Sequence, residues 1–319
     1  MHAFVKAAVF TMDGIRQRVR KEYRMLSKNR TKLFYMFTFP WIAGFILLTA
    51  GPMLYSLYLS FTDSTGFGAP QWIGLENYQK MFTEDPLFWK SMGNTLFYTL
   101  LSVPLSLVTG YLLAVLLNAK VKMIGIFRTI FYLPSIVPTV ATSLLWTLIF
   151  QPNFGIANAV LDFFGLPTSM WLLSEQMVKP TLVIMSLWGI GGGMVIYLAS
   201  LQEVPVTLYE AAELDGASTW NKFWNITVPI TSPVIFFQLI MGLIGSLQVF
   251  TQAYVVSSGT GGPNYQSMFY VFYLYQQGFR FFNQGYGSAL AWVLFVIVLV
   301  LTVFIFKFVG KQVYYEAGD

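Results

Sequence analysis

Six long runs without a charged residue constrain the fold of this chain more than any other feature. A helix that crosses a bilayer needs about 20 apolar residues, and each run holds at least 23 residues. The longest run contains the segment SSGTGGPNYQS, whose Gly and Pro residues end a helix. We therefore predict six spans, at about 33–60, 92–118, 129–150, 180–202, 230–257 and 286–306. The runs are Leu33–Thr62, Ser91–Ala119, Thr129–Leu161, Pro180–Gln202, Phe223–Phe279 and Phe281–Phe306.

Composition and pattern both favour membrane helices. The 319 residues are 56% hydrophobic and only 10% charged, whereas soluble domains carry about 25% charged residues. The runs do not alternate apolar and polar residues, as the strands of a membrane barrel do. The predicted fold class is an all-α membrane protein with six transmembrane helices.

The positions of Lys and Arg predict the orientation. If the N-terminus is cytoplasmic, the inside segments hold 15 of these residues and the outside segments hold four. Because positive charge collects on the cytoplasmic side, both termini and the connection 203–229 are expected there. This divides the chain into a basic N-terminal segment (1–32), a six-helix transmembrane domain (33–310) and a short tail (311–319).

The basic segment 1–32 is expected to set the topology and to lie on the anionic inner leaflet. A specific partner for it is the alternative. No small-residue cleavage site follows the first apolar run, so we do not expect a cleaved signal.

Several chemistries are excluded by composition. The chain has no Cys, and its one His is His2, so we expect no catalytic residue, metal site or cofactor. No phosphate-binding Gly-x-x-x-x-Gly-Lys-Ser/Thr sequence is present. The predicted spans contain no carboxylate, although ion-coupled transport commonly uses one. The net charge of +5 is concentrated near the first span, which does not indicate nucleic-acid binding.

Carboxylates gather instead in the connection 203–229, around the sequence YEAAELDGASTWNKFWNITVP. The pattern predicts two short helices separated by Gly216, a natural helix stop. Thr207 and Glu210 have the spacing of a capping box on the first helix, and Ser218 is placed to cap the second. A solvated, well-capped loop would explain this pattern, and so would a docking site for a soluble partner.

The order of residues in this elbow is more specific. It resembles the EAA loop of binding-protein-dependent ABC importer permeases, which reads Glu-Ala-Ala, three residues, Gly, nine residues, Ile, one residue, Leu-Pro. Every spacing matches, and the one departure is Val228 in place of Leu. Other similar stretches cover nearly the whole chain and point to the maltose and glycerol-phosphate permease subfamily. The matching stretches include FPWIAGFILLTAGPMLYSLYLSFTD, WIGLENYQKMF, FRTIFYLPSIVPTVATSLLW and QVFTQAYVVSSGTGGP.

The resemblance implies a fold, partners and roles. It implies a type I ABC importer permease bundle that forms half of a translocation pathway and imports a carbohydrate, with an oligosaccharide favoured. ATP hydrolysis would take place on a separate ATPase that docks against the elbow. The implied partners are a second permease subunit, two cytoplasmic ATPase subunits, an extracytoplasmic solute-binding protein and membrane lipid. The implied coupling residues are Glu210, Ala211, Ala212, Glu213, Asp215, Gly216, Ile226 and Pro229.

A neutral sugar needs amide or hydroxyl groups and aromatic faces along its path. Gln248 and Gln252 stand four residues apart in the predicted fifth span, and Asn94 lies near the start of the second. The same residues can instead join helices or form interfacial belts. The pathway candidates are Gln248, Gln252, Phe250, Tyr254, Asn94, Tyr132, Trp146 and Trp188.

Two other functions stay open at this stage. A stand-alone channel or facilitator would need no ATPase, and it would leave the acidic elbow unexplained. A structural membrane subunit would use the polar residues of span five only for packing. The sugar is not identified by the sequence. Glycerol-phosphate-type substrates stay open as an alternative, although the absence of Lys and Arg within the predicted spans argues against an anion.

Overall fold

The computed structural model describes residues 32–119 and 122–314. The predicted basic segment before Lys32 and the end of the predicted tail, from residue 315, lie outside these residues. Contacts separate the described chain into two units, 32–58 and 59–314. The first unit belongs to one helix, and the second contains everything else considered below.

The regular secondary structure of the described residues is helical, and the one strand-like contact among them is an antiparallel bridge between Thr62 and Trp72. The helices are α1 Lys32–Leu59, α2 Glu76–Thr83, α3 Pro86–Leu117, α4 Ile124–Ile136, α5 Thr139–Ile149, α6 Ile156–Phe163, α7 Val178–Leu187, α8 Gly191–Glu203, α9 Val206–Leu214, α10 Thr219–Lys222, α11 Val228–Leu247, α12 Thr251–Val256, α13 Tyr270–Tyr275 and α14 Gln284–Phe308.

Among the described residues, four helical stretches are long and apolar enough to cross a membrane: Lys32–Leu59, Pro86–Leu117, Thr219–Val256 and Gln284–Gln312. Two bent pairs, α4 with α5 and α7 with α8, also pass this test as pairs. Residues 32–119 and 122–314 thus hold four candidate spans, or six if each bent pair forms one span.

The predicted span at 129–150 consists of parts of two helices. Helices α4 and α5 meet at 98°, and Val137 between them is extended, with ψ at 133°. The cause is Pro138, because the ring of a proline disfavours the helical conformation of the residue before it. The second pair bends by 44° at Trp188–Ile190.

Gly191 explains how the second bend packs against the first pair. A Cβ atom on Gly191 would lie 2.1 Å from the backbone oxygen of Phe131 in α4. Helix α8 can therefore approach α4 this closely only because residue 191 has no side chain. The Gly-rich sequence WGIGGG is used for close helix packing.

Helix α3 begins at Pro86, six residues before the predicted start. The Asp85 carboxylate caps it, since Oδ1 accepts hydrogen bonds from the backbone N–H groups of Leu87 (2.9 Å) and Phe88 (3.1 Å). Proline at the first helical position suits this start, because its missing N–H would have no helical partner.

The same carboxylate connects three parts of the chain. Its Oδ2 accepts hydrogen bonds from the hydroxyls of Tyr273 in α13 (2.5 Å) and Tyr286 in α14. Burial raises the pKa of Tyr273, and the hydrogen bond to Asp85 raises it further. Tyr273 therefore remains a protonated donor, and the starts of α3 and α14 are joined to α13 through one residue.

Candidate functional site

The acidic elbow begins with helix α9, which follows Pro205. Pro205 occupies the position before the first helical turn, and no side chain caps that turn. The predicted capping box is therefore wrong: Thr207 lies inside the helix. The proline supplies the start by restricting its own backbone, as prolines do at helix N-termini.

Gly216 ends α9 as predicted. Its φ is +75°, a conformation that costs a residue with a Cβ about 1–2 kcal/mol. The N–H of Ala217 donates to the Ala212 carbonyl (2.8 Å), and the N–H of Gly216 donates to the Glu213 carbonyl (3.0 Å). These two bonds form a Schellman motif, which fixes the angle at which the chain leaves the helix.

The second half of the elbow leads directly into span five. Ser218 caps α10 as predicted, since its Oγ accepts from the N–H of Asn221 at 3.2 Å. A π-helical segment, Phe223–Thr227, then joins α10 to α11. The hydroxyls of Tyr209 and Thr227 lie 2.9 Å apart, so the two arms of the elbow are held together. This contact connects α9 to the residue that precedes α11.

The carboxylates of the elbow divide into two groups. Glu213 forms an ion pair with Lys222, with Nζ 2.6 Å from Oε1, so its charge is paired within the elbow. Glu210 and Asp215 are exposed and form no ion pair within residues 32–119 and 122–314. Leu214 beside them is 91% exposed. The elbow thus presents two unpaired acids next to an uncovered apolar side chain.

The remaining predicted residues of the elbow are placed as follows. Ala211 is exposed and Ala212 is half-buried, whereas Ile226 and Pro229 are half-buried at the entry to α11. Phe223 packs against Tyr111 of α3, with ring centroids 6.1 Å apart, and so belongs to the helix bundle.

Two tryptophans close to Phe223 behave differently. Trp220 and Trp224 are exposed and meet edge to face, 5.6 Å apart. They add two uncovered aromatic side chains to the elbow.

Gln248 and Gln252 do not share one helical face as expected. Helix α11 ends at Leu247 and α12 begins at Thr251, and Phe250 between them has a non-helical φ of −137°. Because the chain is not helical between these two helices, the four-residue spacing does not place the two glutamines on one face. Gln248 is exposed at the break, and Gln252 is half-buried.

The aromatic candidates pack mainly against each other. The ring centroid of Phe250 lies 5.3 Å from that of Tyr254 and 5.0 Å from that of Tyr275. The ring centroids of Tyr254 and Phe272 are 5.3 Å apart. These rings hold the break after α11 against α13.

The tryptophan candidates lie on the two bent pairs. Trp146 of α5 meets Trp188 at the α7–α8 break edge to face, with centroids 5.8 Å apart, and it stacks on Phe150. Tyr132 and Trp188 are exposed.

Asn94 is buried and bonded to the backbone of a distant loop. It is 2% exposed, and its Nδ2 donates to the carbonyls of Tyr265 (2.8 Å) and Met268 (3.1 Å). Its Oδ1 accepts from Lys179 at 3.4 Å. The amide of Asn94 is thus committed to the loop before α13 and does not line an open path.

A cavity of about 290 Å³ lies among α3, α7, α8 and α11. Its polar lining contains hydroxyls and one amide, and none of its lining residues is charged. Within the described part of the chain, the buried hydroxyls of Ser102 and Tyr197 have no hydrogen-bond partner, and Tyr197 is 2% exposed. Orphaned hydroxyls of this kind mark a site that water or a hydroxylated solute can occupy. The polar side chains in the lining are Tyr98, Ser102, Ser106, Ser186, Tyr197, Gln238 and Ser246.

Sequence reasoning missed this cavity. Tyr98, Ser102 and Ser106 repeat every four residues and so share one face of α3, which was the available signal. None of the eight predicted pathway candidates lines the cavity, although Val249 next to Gln248 and Gly189 next to Trp188 do.

Comparison with known proteins places this geometry in a family. The family described as binding-protein-dependent transport system inner membrane component matches residues 106–310. That match includes the elbow, the cavity-lining parts of α7, α8 and α11, and α14. The chain belongs to this family. It is a multi-pass membrane protein and the permease component of an ABC transporter, a transport subunit and not an enzyme.

Two relatives match over most of their length. The probable ABC transporter permease protein YesP of Bacillus subtilis (strain 168) is 43% identical over 89% of this chain and 93% of its own. The arabinooligosaccharides transport system permease protein AraP of the same organism is 32% identical over 91% of this chain and 92% of its own.

A solved structure shows the same fold. One chain of a bacterial alginate ABC transporter, crystallised in complex with an alginate pentasaccharide-bound periplasmic protein, superposes with a TM-score of 0.78. The match covers 90% of this chain and 98% of that chain, at 24% identity.

Proposed function

We propose that this permease imports an uncharged carbohydrate, with an oligosaccharide favoured, and forms half of the translocation pathway. The name of AraP gives arabinooligosaccharides as the cargo of a relative. The cavity among α3, α7, α8 and α11 supports the proposal because its lining offers hydroxyls and an amide without any charge. Such a lining suits a neutral, hydroxyl-rich solute.

The elbow couples the pathway to an ATPase. The observation that carries this part of the proposal is the exposed surface of Glu210, Asp215 and Leu214. Two free carboxylates favour a partner groove with basic side chains, because charge-assisted hydrogen bonds are the strong ones. The bond between Tyr209 and Thr227 gives a rigid route from that surface to α11.

The composition of the assembly follows because the solute pathway and the ATPase lie on different chains. With no nucleotide-binding sequence of its own, the permease takes its energy from two cytoplasmic ATPase subunits. A second permease completes the pathway, and an extracytoplasmic binding protein delivers the sugar. The cytoplasmic position of the elbow and of both termini rests on the distribution of Lys and Arg.

Gly216→Pro tests the coupling, with Gly74→Pro as the matched control. Both glycines have positive φ (+75° and +62°) and open space where a Cβ atom would lie, and proline cannot adopt a positive φ. Only Gly216 lies in the elbow. We expect normal insertion of both variants and loss of uptake in Gly216→Pro alone. Normal uptake by that variant would remove the elbow from the coupling mechanism.

The partners and the sugar can be identified in one preparation. Mild-detergent purification from the native cells, followed by mass spectrometry, should recover a second permease and an ATPase. The accompanying binding protein is then screened against neutral oligosaccharides. Recovery of the folded chain alone would favour a stand-alone channel, for which the elbow would have no partner.

The pathway is tested by two substitutions. Tyr197→Phe removes only the orphaned hydroxyl in the cavity, and Gln248→Ala removes the exposed amide next to a lining residue. If sugar passes through the cavity, Tyr197→Phe raises the KM for uptake while the amount of assembled transporter is unchanged. Unchanged kinetics in Tyr197→Phe would exclude its hydroxyl from the pathway, and unchanged kinetics in Gln248→Ala would exclude that amide.

A further inference from the structure

Helix α6 has an apolar face that no described residue covers. Ile156, Val160 and Phe163 recur at helical spacing and so share one side, and all three are exposed, Phe163 by 84%. Phe154 and Phe164 extend the face at its two ends, with exposures of 71% and 69%. The three phenylalanines alone leave about 450 Å² of side-chain surface uncovered. A contiguous patch of this size indicates an interaction surface.

The opposite side of α6 fixes which face points outward. Asn158 is 6% exposed and lies half a turn away from the apolar face. Its Nδ2 donates to the carbonyls of Pro152 and Ser169, both at 2.9 Å. Its Oδ1 accepts from the N–H of Ser169 (3.0 Å) and from Nε1 of Trp171 (2.7 Å). With this amide fully bonded, α6 cannot rotate to bury its apolar face.

The position of α6 next to α5 bears on what covers that face. A Cβ atom on Gly155 would lie 2.5 Å from the carbonyl oxygen of Ile149, the last residue of α5. Helix α6 therefore starts directly against the end of a membrane segment. Helix α5 itself exposes Leu144, Leu145 and Leu148, so both helices present uncovered apolar side chains.

The distribution of charged residues further limits what can cover this apolar face. Between Phe150 and Val178 the only ionisable side chains are Asp162 and Glu175, and the segment contains no Lys or Arg. Many helices that lie on membranes rely on basic residues and anionic lipids. Helix α6 has no nearby basic residue that could attract anionic lipids, so burial of its apolar side chains alone must hold it at the membrane.

We infer that α6 lies in the membrane–water interface at the end of α5, with Ile156, Val160 and Phe163 inserted among lipid chains. It requires no anionic lipid. The helix fixes the depth at which the bent α4–α5 pair ends, and through Asn158 it fixes the loop that carries Trp171. This role concerns lipid contact and does not depend on which solute is transported.

The natural absence of cysteine allows a direct test. Single cysteines are placed at Val160 and Phe163 on the apolar face, and at Asp162 as the matched control on the same helix. Each is labelled with a nitroxide in the complete transporter, reconstituted in nanodiscs of pure phosphatidylcholine. Power-saturation spectroscopy then measures the collision of each label with oxygen, which concentrates in lipid, and with a water-soluble nickel complex.

Each outcome decides the inference. If α6 is interfacial, labels at 160 and 163 collide more with oxygen than with nickel, the label at 162 shows the reverse, and adding anionic lipid changes neither ratio. Nickel access at 160 and 163 would show a water-exposed face and overturn the inference. Exclusion of both reagents there would show a protein partner, such as the binding protein or second permease, and overturn it as well.

Discussion

Replacing Asn94 with Ala separates a structural from a transport role for one of the pathway candidates. The side chain donates to the carbonyls of Tyr265 and Met268, which lie about 170 residues later in the chain. A buried group that loses its partner costs about 1–3 kcal/mol. The Met268 bond is buried and the Tyr265 bond is partly buried. We therefore expect a loss of about 2–4 kcal/mol in the free energy of unfolding.

The assay is unfolding in mixed micelles, followed by the fluorescence of the nine tryptophans. Gln248→Ala is the matched control, because it also truncates an amide, but one that is exposed and whose side chain has no hydrogen bond within the described residues. Exposed substitutions change stability by about 0.5 kcal/mol or less. The two variants should therefore differ clearly in stability.

Uptake completes the test. Asn94→Ala should transport normally per folded transporter, because its amide holds a loop and does not touch the solute. A variant with wild-type stability and a raised KM would refute this reasoning and return Asn94 to the pathway.

Three further predictions follow from single contacts. Gly191→Ala should lower the free energy of unfolding by about 1–3 kcal/mol through overpacking, because the new Cβ would lie 2.1 Å from a backbone oxygen of α4. The control is Gly189→Ala, whose Cβ would have its nearest atom at 3.8 Å; it should be tolerated in the same unfolding assay. Tyr273→Phe should lower stability by a constant amount between about pH 6 and 9: burial raises the pKa of this tyrosine, so its contribution is lost only as pH rises through that raised value. A slope in that window would contradict the assignment. Lys222→Met should change stability by less than about 1 kcal/mol, since its ion-pair partner is largely exposed, and a larger loss would show that this pair holds the elbow together.

The elbow was largely predictable because its determinants are local. Gly216 and Ser218 act within three or four residues of their own positions, so their spacing is enough to place the helix end and the next cap. The error at Thr207 arose because Pro205 starts the helix two residues earlier. The sequence shows a proline near this start. Only the backbone of the folded chain shows that the helix begins after this proline and not after a capping Thr207.

The pathway was less predictable because it depends on distant contacts. The glutamines of span five can be grouped only by assuming a continuous helix, and nothing in their own sequence indicates the break at Phe250. The partners of Asn94 and the neighbours of Tyr197 come from other helices. A single sequence gives the order of these helices and leaves open which faces meet. The 98° bend, by contrast, depends on Pro138, which the sequence alone marks as a residue that can bend its helix.

The carboxylate of Asp85 has a consequence for the construction of hybrid permeases. Its partners Tyr273 and Tyr286 lie in the last fifth of the chain, whereas Asp85 lies in the first third. A hybrid that joins the first half of this chain to the second half of a relative keeps the bonds only if both tyrosines are present at the matching positions. Without them, the carboxylate loses two of its four hydrogen bonds. Exchanges between relatives should therefore treat these three residues as one inherited unit.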